Sequence, residues 1–266
     1  MIDFDKIWVE KYRPAKLDDI ILDERTLNIV REFKNEIPNL LFVGNPGTGK
    51  TTLARVIVND ILGCNYLYIN ASDESGIDTI RHNITNFAQT KSFDGGVKVV
   101  ILDEADGLTP QAQAALRNTM ETFAKYCRFI LTANYKHKII PALQSRCQAL
   151  DIKPVVELAV KRCYHILKNE NVKVSDEQKI KFIQLVKRHF PDLRKAINEL
   201  QKNVIDSELC IANINSDNEL LETIYKKLAS SKSLEARKYL IENEDRFQGD
   251  YDTLLGNFLN FIYGSN

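Results

Sequence analysis

The chain has 266 residues, room for two domains or three small ones, and 44% hydrophobic with 27% charged side chains is an ordinary soluble composition. Its 36 basic and 36 acidic groups cancel, so no global field advertises nucleic acid. Five dispersed cysteines without C-x-x-C spacing and four separated histidines argue against a disulfide frame, a zinc site or a Cys–His nucleophile. With no signal-peptide pattern and no apolar run near membrane-spanning length, a soluble intracellular protein is expected.

Residues 1–24 mix Trp8, Tyr12 and Pro14 with charges, then run into Leu17, Ile20, Ile21 and Leu22; so aromatic a segment is expected to pack on a domain. Leu27, Val30 and Phe33 mark a helix over 25–35. The apolar run Asn39–Val43 reads as a buried strand. It feeds Gly44, Asn45, Pro46, Gly47, Thr48, Gly49, Lys50 and Thr51, which fit G-x-x-x-x-G-K-[ST], with Thr52 following. Leu53, Ala54, Val56, Ile57 and Ile61 then recur at helical spacing, completing the strand–loop–helix context of a phosphate-binding loop. The chemistry follows from the residue types. Glycines let backbone N–H groups curl around a phosphate, and the helix N-terminus adds partial positive charge. Lys50 would reach the β- and γ-phosphates, and the Thr51 hydroxyl would ligate Mg²⁺.

A second strand is expected over 66–69 and a helix over 76–90. Then comes the β-branched run Val97–Leu102, ending in Asp103, Glu104, Ala105 and Asp106. Beside a phosphate loop, Asp103 would hold Mg²⁺ and Glu104 would take a proton from the attacking water. A helix over 110–126 opens with Pro110. A strand over 128–133 ends at Asn134, followed by a short helix over 139–144 and a strand over 149–152. Strands alternating with helices imply a parallel sheet with both faces covered, and ligands of such sheets sit beyond the C-terminal strand ends. The loop, Asp103, Glu104 and Asn134 all fall at that rim. Past Pro154, helices are expected over 155–169, 175–190 and 192–204, then over 218–229, 233–243 and 250–263. Net charge is zero over 1–150, +4 over 151–206 and −4 over 207–266, which marks a boundary near 206. The expected class is α/β, with a P-loop sheet domain over 1–153 followed by two all-helical segments, 154–206 and 207–266.

These residues carry a family resemblance. Trp8-Val9-Glu10-Lys11-Tyr12-Arg13-Pro14, the phosphate loop, Leu102–Asp106, Ala112–Arg117, Leu131–Asn134, Gln144-Ser145-Arg146-Cys147 and Asp192–Lys195 together resemble a clamp-loader ATPase of the AAA+ superfamily. The likeness is to the replication factor C small subunit and its T-even-type bacteriophage counterpart. It covers residue 7 to about 205 well and the rest loosely; the Ser-Arg-Cys triplet and the opening V-E-K-Y-R-P are its most specific parts.

The resemblance implies that Asn134 is sensor 1 and Arg194 is sensor 2, and that Arg146 is an arginine finger acting in trans on a neighbouring subunit's site. Val9, Tyr12, Arg13 and Pro14 would surround adenine. From the residues alone, Asn134 equally caps a turn and Arg194 is equally a surface arginine; for Arg146 the competitor is pairing with a local acid, against which Ser145 and Cys147 favour the finger. Arg81, Gln113 and Arg117 match positions that face DNA in the family, against an equal reading as solvated faces. Ser75 stands where the family often has a basic residue that couples DNA to the catalytic glutamate. The resemblance makes 1–153 an ATPase domain, 154–206 a helical lid and 207–266 a short collar for oligomerisation; relatives usually run some fifty residues further, so either the chain is truncated or its collar is compact. The implied activity is a DNA-stimulated ATPase using ATP and Mg²⁺ in a pentameric ring that opens a sliding clamp and loads it on primer–template DNA. Its implied setting is the cytoplasm, of an infected host if the source is viral, toward which Ile84–Ala88 through Ser92–Gly95, with Phe190–Arg194, lean. Other readings are another DNA-acting AAA+ ring ATPase, a helicase or checkpoint-type loader, or a nucleotide-holding scaffold subunit. No membrane role is implied.

Overall fold

A computed structural model describes residues 7–72, 77–90, 96–211, 215–244 and 251–264. It divides into two compact units, residues 1–174 with 185–209, and residues 175–184 with 210–266.

The first unit is built on five parallel strands: β1 (Leu40–Val43), β2 (Tyr66–Asn70), β3 (Lys98–Asp103), β4 (Cys127–Ala133) and β5 (Gln148–Asp151). They lie in the order β2-β3-β4-β1-β5. Successive residues of a strand point to opposite faces, and the core divides accordingly. Leu41, Val100, Leu102, Phe129 and Leu131 pack on one side with Ile84, Ala112, Leu116 and Met120. Leu40, Phe42, Val99, Ile101 and Ile130 pack on the other with Val30, Phe33, Leu53 and Ile57. Both faces are therefore covered, which is why the strands read as near-continuous apolar runs.

Some of the covering helices start where their sequences supply side-chain caps. On α1 (Trp8–Lys11), Trp8 is buried. α2 (Glu24–Glu32) begins at Asp23, whose carboxylate accepts from the Thr26 N–H at 3.0 Å. α3 (Lys50–Val56) runs into a π-turn at Ile57–Ile61 that the apolar spacing did not disclose. That turn carries Asp60 to the Leu17 N–H at 2.9 Å, fastening the N-terminal segment to the sheet domain. α4 (Ile77–Gln89), α5 (Pro110–Thr122) and α6 (Pro141–Gln144) follow, and Thr109 caps α5 by accepting from the Ala112 N–H.

Beyond Pro154 come α7 (Val156–Asn169), α8 (Asp176–His189) and α9 (Leu193–Lys202). The helix expected through 204 stops at Lys202, because Val204–Ile205 (β6) pairs antiparallel with Glu208–Leu209 (β7). Asp206 and Ser207 take positive φ of 49° and 62° in the two-residue turn, the backbone that a tight hairpin requires.

The C-terminal unit holds α10 (Asn215–Ala229), α11 (Ser233–Glu242) and α12 (Tyr251–Gly264). Leu220, Leu221 and Ile224 form its core with Tyr239, Leu240, Leu254, Phe258 and Phe261. Exposed Leu234, Ile241 and Leu255 remain outside that core. Among the described residues no helix is long and apolar enough to cross a membrane.

Candidate functional site

The loop after β1 has the backbone that its glycines were chosen to allow. Gly47 and Gly49 take φ of 74° and 92°, a region that L side chains rarely adopt. A Cβ on Gly47 would meet the Asp192 carboxylate at 1.9 Å, so only glycine fits beside the start of α9.

Inside the loop, Lys50 is buried, and its ammonium donates to the carbonyls of Gly44 and Asn45 and to Asn134 Oδ1, each at 2.8 Å. Burial holds its pKa below the ordinary lysine value, with Arg194 adding to the depression. Asp103, Asp106 and Glu104 oppose it. A cation ringed by carbonyl oxygens at a helix N-terminus suits a polyphosphate.

At the end of β3, Asp103 is buried and accepts from three hydroxyls. Thr51 lies 2.7 and 2.9 Å from its two oxygens, Thr132 2.6 Å from Oδ1 and Tyr68 2.8 Å from Oδ2. Burial, then the hydrogen bond to Asp103, pushes the Tyr68 phenol up to about 12. Glu104 follows in a left-handed conformation, φ 55°, uncommon for a residue with a Cβ. Its N–H donates to Thr132 Oγ1 at 3.0 Å and its side chain is exposed. Asp106 closes the rim, with Oδ2 accepting the N–H groups of Asn134 and Tyr135, both at 3.1 Å. The structure thus brings together Lys50, Thr51, Asp103, Glu104 and Asn134. Thr132, Tyr68 and Asp106 went unnoticed as site residues; only Asp106, the third acid after the strand, left a trace in the sequence.

A crevice of about 100 Å³ opens beside the loop, lined by Val9, Tyr12, Arg13, Pro14, Ile20, Ile21, Gly47, Thr48, Gly49, Thr52, Arg162, Cys163, Leu193, Arg194 and Ile197. All four residues expected around adenine line it, as does Arg194. Its volume is below the ~300 Å³ at the small end of ligand pockets. The start of α9 rests on the loop, with the Leu193 N–H donating to Gly47 O at 3.2 Å. The N-terminal wall is tied to the helices behind it. The Tyr12 hydroxyl donates to Glu170 at 2.5 Å, Lys11 does so at 2.6 Å, and Arg162 bridges Asp19 and Tyr12 O. Burial and then Glu170 push Tyr12 up to about 12. Glu170, although burial raises its carboxyl, is held below the usual range by Lys11 and Tyr12.

Other expected residues stand apart. Arg146 is exposed just past α6 and pairs with Glu121 of its own chain while donating to Ala142 O at 3.0 Å. Arg117 is half-buried and donates to Asn118 Oδ1. The DNA-facing reading of Gln113 does not hold. It is 1% exposed; its amide N–H groups donate to Leu108 O and Lys138 O, and its oxygen accepts from Ile140 N–H at 2.8 Å. Ser75 lies outside the described residues, as does the side chain of Arg81.

Donor chemistry tests the site for a cation. Among the described residues no cluster of three or more His, Cys, Asp or Glu could hold a metal. Thr51 and Asp103, 2.7 Å apart, offer one hydroxyl and one carboxylate. Mg²⁺ is usually held by one or two carboxylates together with substrate phosphates, so this pair fits.

Residues 40–154 match the family model described as ATPase family associated with various cellular activities (AAA), and residues 151–209 match one described as sliding-clamp-loader large subunit, AAA+ ATPase lid domain. A replication factor C small subunit of Archaeoglobus fulgidus is 41% identical over 235 residues, 85% of this chain and 70% of the relative. One from Methanococcus vannielii is 40% identical over 89% of this chain and 74% of the relative. Replication factor C subunit 3 of Saccharomyces cerevisiae is 42% identical over 73% and 58%. Among solved structures, a Thermotoga maritima RuvB mutant superposes with a TM-score of 0.60 at 17% identity, over 88% of this chain and 74% of that one, a likeness of fold alone.

Proposed function

Because this chain belongs to the replication factor C small-subunit family of AAA+ ATPases, we propose that it works as a clamp-loader ATPase subunit whose hydrolytic site is shared between two chains. The observation that carries this reading is the split in the constellation. Lys50, Thr51, Asp103, Glu104 and Asn134 gather at one rim, whereas Arg146 stands exposed away from all of their described hydrogen bonds.

The adenine end of ATP lies against Val9, Tyr12, Arg13 and Pro14. The loop from Gly44 to Thr52 wraps the phosphates with its N–H groups. Lys50 gives up its carbonyl and Asn134 partners to the β- and γ-phosphates. Entry of the nucleotide requires the start of α9 to draw back from Gly47, which carries Arg194 with it. Mg²⁺, when bound, supplies positive charge to the triphosphate, with Thr51 and Asp103 the residues that hold it. Glu104 takes the proton of the attacking water, and Asn134 orients that water or the γ-phosphate. Arg146 of the adjacent chain neutralises charge on the phosphoryl group in flight. Products are ADP and phosphate.

Residues 1–153 would be the motor, 154–206 the lid and 207–266 the collar that joins chains into a pentamer; exposed Leu234, Ile241 and Leu255 support a collar role. The particle opens a sliding clamp and places it on primer–template DNA, with Arg117 following the backbone. Steady-state hydrolysis by the reconstituted particle, with clamp and primed DNA added or withheld, tests this. Glu104→Gln should retain ATP and clamp binding while turnover falls about 10²–10⁴-fold, the usual worth of a general base. Brisk turnover would remove Glu104 from the mechanism.

A further inference from the structure

Asp103 is held by more than its burial explains. Thr51 shares a single O–H between the two oxygens, at 2.7 and 2.9 Å, whereas Thr132 addresses Oδ1 alone at 2.6 Å and Tyr68 addresses Oδ2 alone at 2.8 Å. A hydroxyl donates one proton. Thr51 can therefore turn its oxygen to a cation and leave the carboxylate still fixed at both ends by the other two.

Sheet register explains why a tyrosine does this. Asn70 of β2 lies opposite Asp103 of β3, and Tyr68 opposite Ile101, so Tyr68 sits two residues back from Asp103 on the same face of the adjoining strand. A short side chain at 68 would not span that diagonal; a phenol does. The ring is held in turn. The Arg55 guanidinium, from α3, lies 4.6 Å from its centroid, and Arg55 Nε is buried with no hydrogen-bond partner. The guanidinium is therefore held against the aromatic face with its Nε left unpaired.

We propose that Tyr68 is a positioning residue for the nucleotide site: it fixes Asp103 Oδ2 and thereby sets the divalent-cation affinity of that site. This rests on the reading of Asp103 as the cation's carboxylate. Partners that orient a ligating carboxylate are typically worth 10–100-fold in metal affinity. Tyr68 is one of two dedicated donors, so the low end applies. Tyr68→Phe keeps the ring and its stacking on Arg55 while removing the O–H, and with it the phenol's bond to Asp103 and its polar contact with Arg55.

The test is a Mg²⁺ titration of the purified chain at a fixed concentration of fluorescent ATP analogue, read as the Mg²⁺ concentration giving half-maximal binding. Tyr68→Phe should need about tenfold more Mg²⁺ than the wild type, yet reach the same nucleotide affinity once Mg²⁺ saturates. Arg55→Met, which loosens the ring while leaving the phenol, should shift the midpoint in the same direction by less, and serves if Tyr68→Phe folds poorly. A Tyr68→Phe midpoint equal to wild type, with Asp103→Asn strongly shifted, overturns the role of Tyr68 and leaves Asp103 in place. If Asp103→Asn is also unshifted, the cation assignment itself falls and the proposal with it. A purely structural role would lower the melting temperature or total binding at an unchanged midpoint, which also counts against the proposal.

Discussion

The phosphate rim and the Arg146 surface are built in opposite ways. At the rim, Lys50 donates, and Asp103 and Asp106 accept, at least two hydrogen bonds each within their own chain, on groups placed by sheet register and loop backbone. At the other surface, Arg146 has one ion pair, with Glu121, both side chains well exposed. Exposed pairs are worth about 0–1 kcal/mol, so Arg146 can leave Glu121 at small cost. The rim is thus organised by its own chain, while the arginine is held by an exposed pair and one backbone carbonyl alone.

The largest effect should come from cutting the loosely held end. Arg146→Ala should lower turnover in the assembled particle about 10³-fold or more, the worth of such fingers, and leave ATP binding by the single chain unchanged. Rapid-quench hydrolysis set beside equilibrium binding measures both; a binding defect of similar size would place Arg146 in its own chain's site. Next comes the scaffold of the organised end. Gln113→Ala strands Leu108 O in a buried setting and Lys138 O and Ile140 N–H in part-buried ones. At roughly 1–3 kcal/mol for a buried orphaned group and less for the two nearer water, urea denaturation should show a loss of roughly 2–5 kcal/mol; a loss under ~0.5 kcal/mol would mean those groups find other partners. The smallest effect serves as a control outside both regions. Burial, then Arg188, holds His189 below its ordinary 6.5. As pH falls past that value the unfolded chain takes up the proton first, so the native state loses stability toward acid. His189→Gln should flatten this acid-side slope without touching turnover, and an unchanged slope would deny the burial effect.

How legible each region was follows from which interactions set it. Strand, loop and helix around Lys50 were readable because apolar period and glycine spacing are local properties of the chain. Asp103 and Glu104 were readable as acids closing an apolar run. What holds them was not, since Tyr68 and Thr132 reach Asp103 only through strand order and register. Gln113 was misread for the same reason: on a helix otherwise patterned polar and apolar it looks solvent-facing, and only the fold of the 138–140 segment back over α5 buries its amide and gives it two of its three backbone partners. The π-turn at Ile57–Ile61 keeps an apolar period close enough to helix that spacing alone does not betray it. Glu121 was invisible as the resting partner of Arg146 because twenty-five positions of chain separate them.

Sharing of the site between chains is tested most directly by mixing two inactive variants. Chains carrying Arg146→Ala keep the rim, and chains carrying Glu104→Gln keep the arginine. Co-assembled with clamp and primed DNA, they create junctions where an intact rim faces an intact arginine. The mixture should therefore hydrolyse ATP well above either variant alone. A mixture no more active than its components, or an Arg146→Ala particle that is fully active by itself, would contradict a site completed by the neighbouring chain.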